Sequence, residues 1–240
     1  VRNRIWLLIL GGAVLSLISG WRMTELPLWS HWPLGLFGGL WLVTYGLLIR
    51  RYHDNPLLRR GLHLAALTGA LLGLAFLPLP FTGLIFFAWI PLFYAWDEVL
   101  EHASIRPIRK VLLLSMFSFL GWNIWSTYWV ANTALVPAVV AFVLNSFFMT
   151  WPLLLYLVLR KWISPNLRWV CLVSCWLAFE YVHLRWEITW PWLTLGNSFA
   201  KTPEWIQWYT LTGVPGGSLW VWLVNIYWYE AWRKYRESAS

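Results

Sequence analysis

The sequence predicts an all-α protein, a polytopic transmembrane helix bundle of about eight spans with both termini cytoplasmic. Three observations carry this. The 240 residues are 60% hydrophobic and 12% charged, with 23 tryptophans, more apolar surface than a water-soluble domain can hide. The apolar residues fall in eight runs of about the length needed to span, roughly 20 residues. The basic residues then sort to one side: with a cytoplasmic N-terminus, 15 of the 18 Lys and Arg lie in cytoplasmic segments, as the positive-inside rule requires.

The first run, 5–21, follows Arg2 and Arg4. It has the basic start of a signal peptide but lacks a small-x-small cleavage site, so it reads as a span. The second, 33–49, ends at Arg50 and Arg51. The third, 62–79, carries Ala65, Gly69 and Gly73 in small-xxx-small spacing, which lets a neighbouring helix approach closely. A tight Pro78-Leu79-Pro80 turn leads to the fourth, 82–96, which is short and contains Pro91. The fifth and sixth, 111–131 and 134–159, meet around Asn132. The seventh and eighth are 167–183 and 214–232. Only Arg22, Arg185 and Lys201 fall on the outer side, and the net charge of +8 is therefore topological. The clusters form no basic face with interleaved polar contacts, so no nucleic-acid partner is expected.

The connection 184–212 is too long for an ordinary loop of a compact protein. It holds Trp186, Trp190, Trp192, Trp205 and Trp208, which argues for a segment lying in the outer membrane–water interface. Glu180 and His183 precede it near the outer end of the seventh run, three residues apart and so on one helix face. An ionisable residue within a span is a functional candidate by default. The alternative for Glu180 is a polar cap bonded to the backbone of the following loop. No third ligand has helical spacing with this pair, so no metal is expected. Asn123, with Thr127 four residues on, and Asn132, Asn145 and Asn225 are amides in or beside spans. They read as interhelical hydrogen-bonding groups or as the lining of a polar headgroup path.

No catalytic set emerges from the residues alone. His31, His53, His63, His102 and His183 have no plausible nucleophile beside them on the same side of the membrane. Cys171 and Cys175 sit inside the seventh run and read as buried packing residues. No Walker loop or dinucleotide fingerprint is present, and no cofactor is expected.

The segment EYVHLRWEITWPWLTLGNSFAKTPEWIQWYTLTGVPGGSLWVWLVN, from Glu180 to Asn225, resembles the signature of the bacterial apolipoprotein N-acyltransferase family. The matching positions are Glu180, Trp190, Pro191, Trp192, Leu193, Gly196, Gly213, Gly217 and Asn225. His183 and WPWLTLGN, which includes Asn197, look like the Bacteroidetes branch. WNIWSTYWVANTA (122–134) and LNSFFM (144–149) resemble the family's third membrane helix with its exit, and the next helix. The resemblance covers about 62–232. Residues 1–61 would be an additional two-helix segment, and 62–240 the acyltransferase-like membrane domain with its periplasmic loop 184–212.

The resemblance implies transfer of an acyl chain from a membrane phospholipid to the N-terminal diacylglyceryl-cysteine of a lipoprotein in the bacterial inner membrane. In that family the chemistry runs through a cysteine thioester, with Glu and Lys completing the triad, in a nitrilase-like periplasmic domain. Those residues would belong to a nitrilase-like catalytic domain or chain supplied elsewhere, so no catalytic residue is carried over here. Glu180, His183, Trp190, Pro191, Trp192, Gly196 and Asn197 are expected to bind substrate or shape its entry. Val1, where a Met would be expected, favours a fragment or an alternative start. The competing expectation is a non-catalytic membrane subunit or scaffold that binds lipid or a partner protein.

Overall fold

A computed structural model describes residues 2–25, 29–76, 81–103 and 105–239. Val1 and the Pro78-Leu79-Pro80 turn lie outside the described residues. Among those described, the structure is helical and without strands. The helices are α1 (Arg2–Glu25), α2 (Trp32–Arg51), α3 (Pro56–Ala75), α4 (Ile90–His102), α5 (Pro107–Thr127), α6 (Leu135–Phe148), α7 (Trp151–Leu159), α8 (Arg168–His183) and α9 (Tyr209–Ala239). Among the described residues, five helical segments are long and apolar enough to cross a membrane: 4–25, 32–51, 56–75, 82–102 and 135–159.

Proline marks where helices begin. Pro33, Pro56, Pro91, Pro107 and Pro152 all sit in the first turn of α2, α3, α4, α5 and α7. There the missing N–H would have had no partner, and the fixed φ already suits a helix. Asn55 caps α3 by accepting the Leu58 amide at 2.9 Å. Two runs that the sequence presents as continuous are broken by this rule. The run 82–96 begins as a 3-10 turn (Thr82–Phe86), and α4 starts only at Ile90, so Pro91 opens a helix instead of lying inside one. The run 134–159 is divided at Met149–Thr150, just ahead of Pro152, into α6 and α7.

Close approach is built into α3 and α5. A methyl on Gly69 would lie 2.7 Å from the Ser118 carbonyl, and one on Gly73 would lie 2.4 Å from Cβ of Trp125. Ser118 Oγ reaches across to the Ala65 carbonyl at 2.8 Å. The small-residue stripe on α3 is therefore a helix–helix seam.

The core is aromatic. Trp89, Trp122, Trp176, Trp222, Phe93 and Phe119 are fully buried and pack in a mixture of edge-to-face and stacked pairs, Trp89 meeting Trp176 edge-on with centroids 4.9 Å apart at 83°. Trp89 sits at the break before α4, and Asn225 of α9 holds that break. Its Oδ1 accepts the Trp89 amide at 3.0 Å, and its Nδ2 donates to the Ile85 carbonyl at 2.8 Å. One buried amide thereby satisfies backbone groups that the broken helix leaves open. α1 packs along α2, and α2 rests on α5 and α3.

Candidate functional site

The long connection after α8 folds into three short 3-10 turns: Pro191–Leu193, Leu195–Lys201 and Pro203–Trp205. Leu193, Leu195, Gly196, Ser198 and Phe199 are buried. The segment packs against the 3-10 turn Thr82–Phe86 and α9 and is tied to α8 through Glu180.

Glu180 is the central fixing. Its side chain is 4% exposed. Oε1 accepts the Trp176 indole N–H and the Leu195 backbone N–H, each at 2.9 Å. The Ser218 hydroxyl of α9 also bonds the carboxyl, while its oxygen accepts the Gly196 N–H at 2.9 Å. Tyr209 donates to the Gly196 carbonyl at 2.9 Å. Both backbone groups of Gly196 are thus held by α9, and Glu180 joins α8 to the loop through Leu195. This is the polar-cap geometry given above as the alternative for Glu180.

The glycines of the motif allow this insertion. A methyl on Gly196 would lie 2.2 Å from the Val214 carbonyl, and one on Gly217 only 1.5 Å from Tyr209 Oη. Gly213 has φ 65°, a left-handed conformation that glycine adopts without strain, and Pro215 follows it. α9 is kinked there, which turns Tyr209 back onto the loop. Tyr209 and Ser218 escaped the sequence reading. Their only trace is helical spacing: Tyr209 precedes Gly213 and Gly217 by one and two turns.

His183, three residues after Glu180, engages a different set. Its Nε2 donates to Asn145 Oδ1 at 3.0 Å, Asn145 Nδ2 donates to Asn123 Oδ1 at 2.7 Å, and Asn123 Nδ2 donates to Ser146 Oγ at 3.1 Å. This buried relay ties α8, α6 and α5 together. It sets the imidazole as the Nε2–H tautomer, and the buried Nδ1 has no partner among the described residues. Glu180 and His183 share a helix but are not brought together: one faces α9 and the loop, the other α6.

Beside the relay lies a slot of about 210 Å³ between α6, α8 and the loop, with Val140, Leu144, Asn145, His183, Ile188 and Trp190 among its walls. It is almost wholly apolar. Trp190 forms its loop-side wall. Pro191 accepts the Asn197 side-chain amide at 2.6 Å on its carbonyl, which closes the turn behind Trp190. Trp192 points the other way, 52% exposed, and packs edge-on against Trp129 at 5.2 Å. Of the expected site residues, Glu180 and Gly196 form the anchor, His183 and Trp190 the slot, and Pro191 and Asn197 the turn between them. Trp192 stands on the outer surface. Cys171 is half-buried and Cys175 buried, both within α8.

Apolar helices around an aromatic core, closed at one end by a buried loop, define a polytopic membrane protein. The family model described as "Apolipoprotein N-acyltransferase N-terminal domain" matches residues 68–227, and the chain belongs to that family. It is 27% identical over 172 residues to the apolipoprotein N-acyltransferase of Chlorobaculum tepidum, a match that covers 72% of this chain and 32% of that relative. The chain thus spans about a third of the relative's length. No solved structure matches.

Proposed function

We propose that this chain is the membrane part of an apolipoprotein N-acyltransferase of the bacterial inner membrane. In this reading it presents phospholipid and the diacylglyceryl-cysteine N-terminus of a lipoprotein to a nitrilase-like catalytic domain or chain. The observation that carries the proposal is the loop 187–205, held by Glu180, Ser218 and Tyr209 against α8 and α9, with an apolar slot opening beneath Trp190.

The chain's own residues do two things in this scheme. The Glu180 anchor sets the depth of the loop, so that Trp190 and Trp192 lie at the interface where indoles are favoured. The slot beside His183 and Asn145 offers an acyl chain a dry surface, at a place where the relay fixes the helices around it. The Lys and Arg distribution supports a periplasmic position for this loop. Cys171 and Cys175 lie within α8, so the nucleophilic thiolate is assigned to the nitrilase-like part.

The test replaces Trp190 and Trp192 by alanine in the complete system, with lipoprotein N-acylation read by mass spectrometry of the N-terminal peptide. A fall of at least tenfold with the chain still folded is expected. Unchanged acylation with loss of a bound partner protein would overturn the reading in favour of a non-catalytic scaffold.

A further inference from the structure

α1 and α2 precede the matched residues 68–227, and they do not close flush on α5. A groove of about 750 Å³ runs between the three helices, with Leu15 and Ser19 of α1, Leu34, Gly38 and Leu42 of α2, and Trp125 of α5 on its walls. A methyl placed on Gly38 would find no atom within 4 Å, so no described residue fills this space.

The groove has one polar end. Ser30 and His31 lie at its mouth, and both are tied to the segment after α5. His31 Nδ1 is hydrogen-bonded to the Tyr128 hydroxyl at 2.5 Å. The Ser30 backbone donates to Asn132 Oδ1 at 3.3 Å and accepts from Asn132 Nδ2 at 3.0 Å. Away from this mouth the walls are apolar apart from Ser19, whose buried hydroxyl has no partner among the described residues. The α2 backbone from Trp32 to Leu42 rises about 15 Å at ~1.5 Å per residue. That is half of a hydrocarbon core about 30 Å thick, the depth of one leaflet.

A transmembrane helix would need the whole thickness, so the groove is too short for one. A molecule with a polar end at the interface and an apolar chain of one-leaflet length matches it. We propose that the α1–α2 hairpin and α5 hold one phospholipid, with an acyl chain in the groove and its headgroup against Ser30 and His31. The site lies on the same face of the bundle as the Trp190 loop, since Trp129, beside Tyr128, packs on Trp192. The proposal is independent of acyl transfer and needs only that these helices lie in a bilayer.

Native mass spectrometry of the full chain, equilibrated with 1-palmitoyl-2-oleoyl phosphatidylglycerol or the corresponding phosphatidylethanolamine, tests it. The unaltered chain is expected to keep one phospholipid at collision energies that strip the rest. Gly38→Trp, placed in open space, should lower that retained fraction at least tenfold. Gly11→Trp on α1, where a methyl also meets nothing within 4 Å and which does not line the groove, should leave it unchanged. Circular dichroism checks that each variant is folded, and Gly38→Leu serves if the larger side chain disturbs folding. Equal retention in the folded Gly38 variant, or loss of every lipid from the unaltered chain at the stripping energy, would overturn the proposal. So would retention of free palmitate in place of phospholipid when both are offered.

Discussion

The two ends of the bundle are fastened by different chemistry. At the end that carries the loop, the fixings are neutral or backbone-directed: Glu180 to the Leu195 amide, Ser218 and Tyr209 to Gly196, and Asn132 to Ser30. At the opposite end they are ion pairs and hydrogen bonds to carboxylates. Glu230 of α9 meets Arg168 of α8 and Arg233, each at 2.7 Å, and accepts the Trp169 indole at 2.6 Å. Tyr229 donates to Asp97 of α4 at 2.8 Å, and Arg60 of α3 meets Glu98 at 3.0 Å. Charge pairs tolerate rotamer changes and are weakened by salt. A carboxyl or hydroxyl seated on a particular backbone N–H fixes the main chain itself. In the role proposed above, a segment that holds tryptophans at a set depth is better served by the second kind.

The largest expected effect follows from removing the anchor. Glu180→Ala leaves the Leu195 and Trp176 N–H groups buried without an acceptor, at about 1–3 kcal/mol each. A loss of about 4 kcal/mol is expected, seen as a lowered unfolding midpoint in detergent and as protease cleavage within 187–205. Glu180→Gln keeps an acceptor oxygen and should cost about 1 kcal/mol. Equal losses in the two variants would mean that the charge, and not the acceptor geometry, holds the loop.

Asn225→Leu comes next. It orphans the Trp89 amide and the Ile85 carbonyl at the break before α4, for an expected loss of about 3 kcal/mol. The loop should stay protected from protease while the midpoint falls, because the break lies in the aromatic core.

How much of this was legible follows the same division. That the chain is helical, and where the long connection falls along it, could be read because hydrophobic runs and prolines are local signals. The breaks at Phe86–Ile90 and Met149–Thr150 were harder, since an apolar run looks the same whether or not a proline restarts the helix within it. Glu180 stood out as an ionisable group in a span, but its partners could not be read. A hydrogen bond to a backbone amide leaves no trace in residue type, so Leu195 carries no mark of it. His183 and Glu180 share a helical face by spacing, yet packing splits them, because α6 offers Asn145 to one and the loop offers Leu195 to the other. The groove beside Gly38 is visible only once α2 is docked on α5.

At the charged end a smaller effect is expected, and it should depend on salt. Glu230→Gln weakens the pairs with Arg168 and Arg233, both part-exposed, at about 1 kcal/mol in low salt. Unfolding midpoints of the variant and the parent should converge by about 1 M salt, where the screening length is near 3 Å. Glu180→Ala should show no such convergence, and matching salt responses would erase the contrast between the two ends.

The smallest effect on stability, and the most informative about role, belongs to Trp192. It is half-exposed and touches Trp129 edge-on, a contact worth about 0.5–1.5 kcal/mol beyond buried area. With the ring half-exposed, Trp192→Ala should therefore cost about 0.5 kcal/mol, less than Glu230→Gln costs at low salt. Its consequence should lie in depth and contact. In the proposed role an indole at the interface would hold the loop against the headgroups, and Trp192→Phe keeps the ring while removing the N–H. If depth is set by the indole dipole, the phenylalanine variant should behave like alanine in lipoprotein acylation by the complete system. If ring contact with Trp129 is what counts, phenylalanine should restore it. In either case the fall in acylation should exceed the fall in stability, because Glu180, Ser218 and Tyr209 still hold the backbone beneath the missing ring.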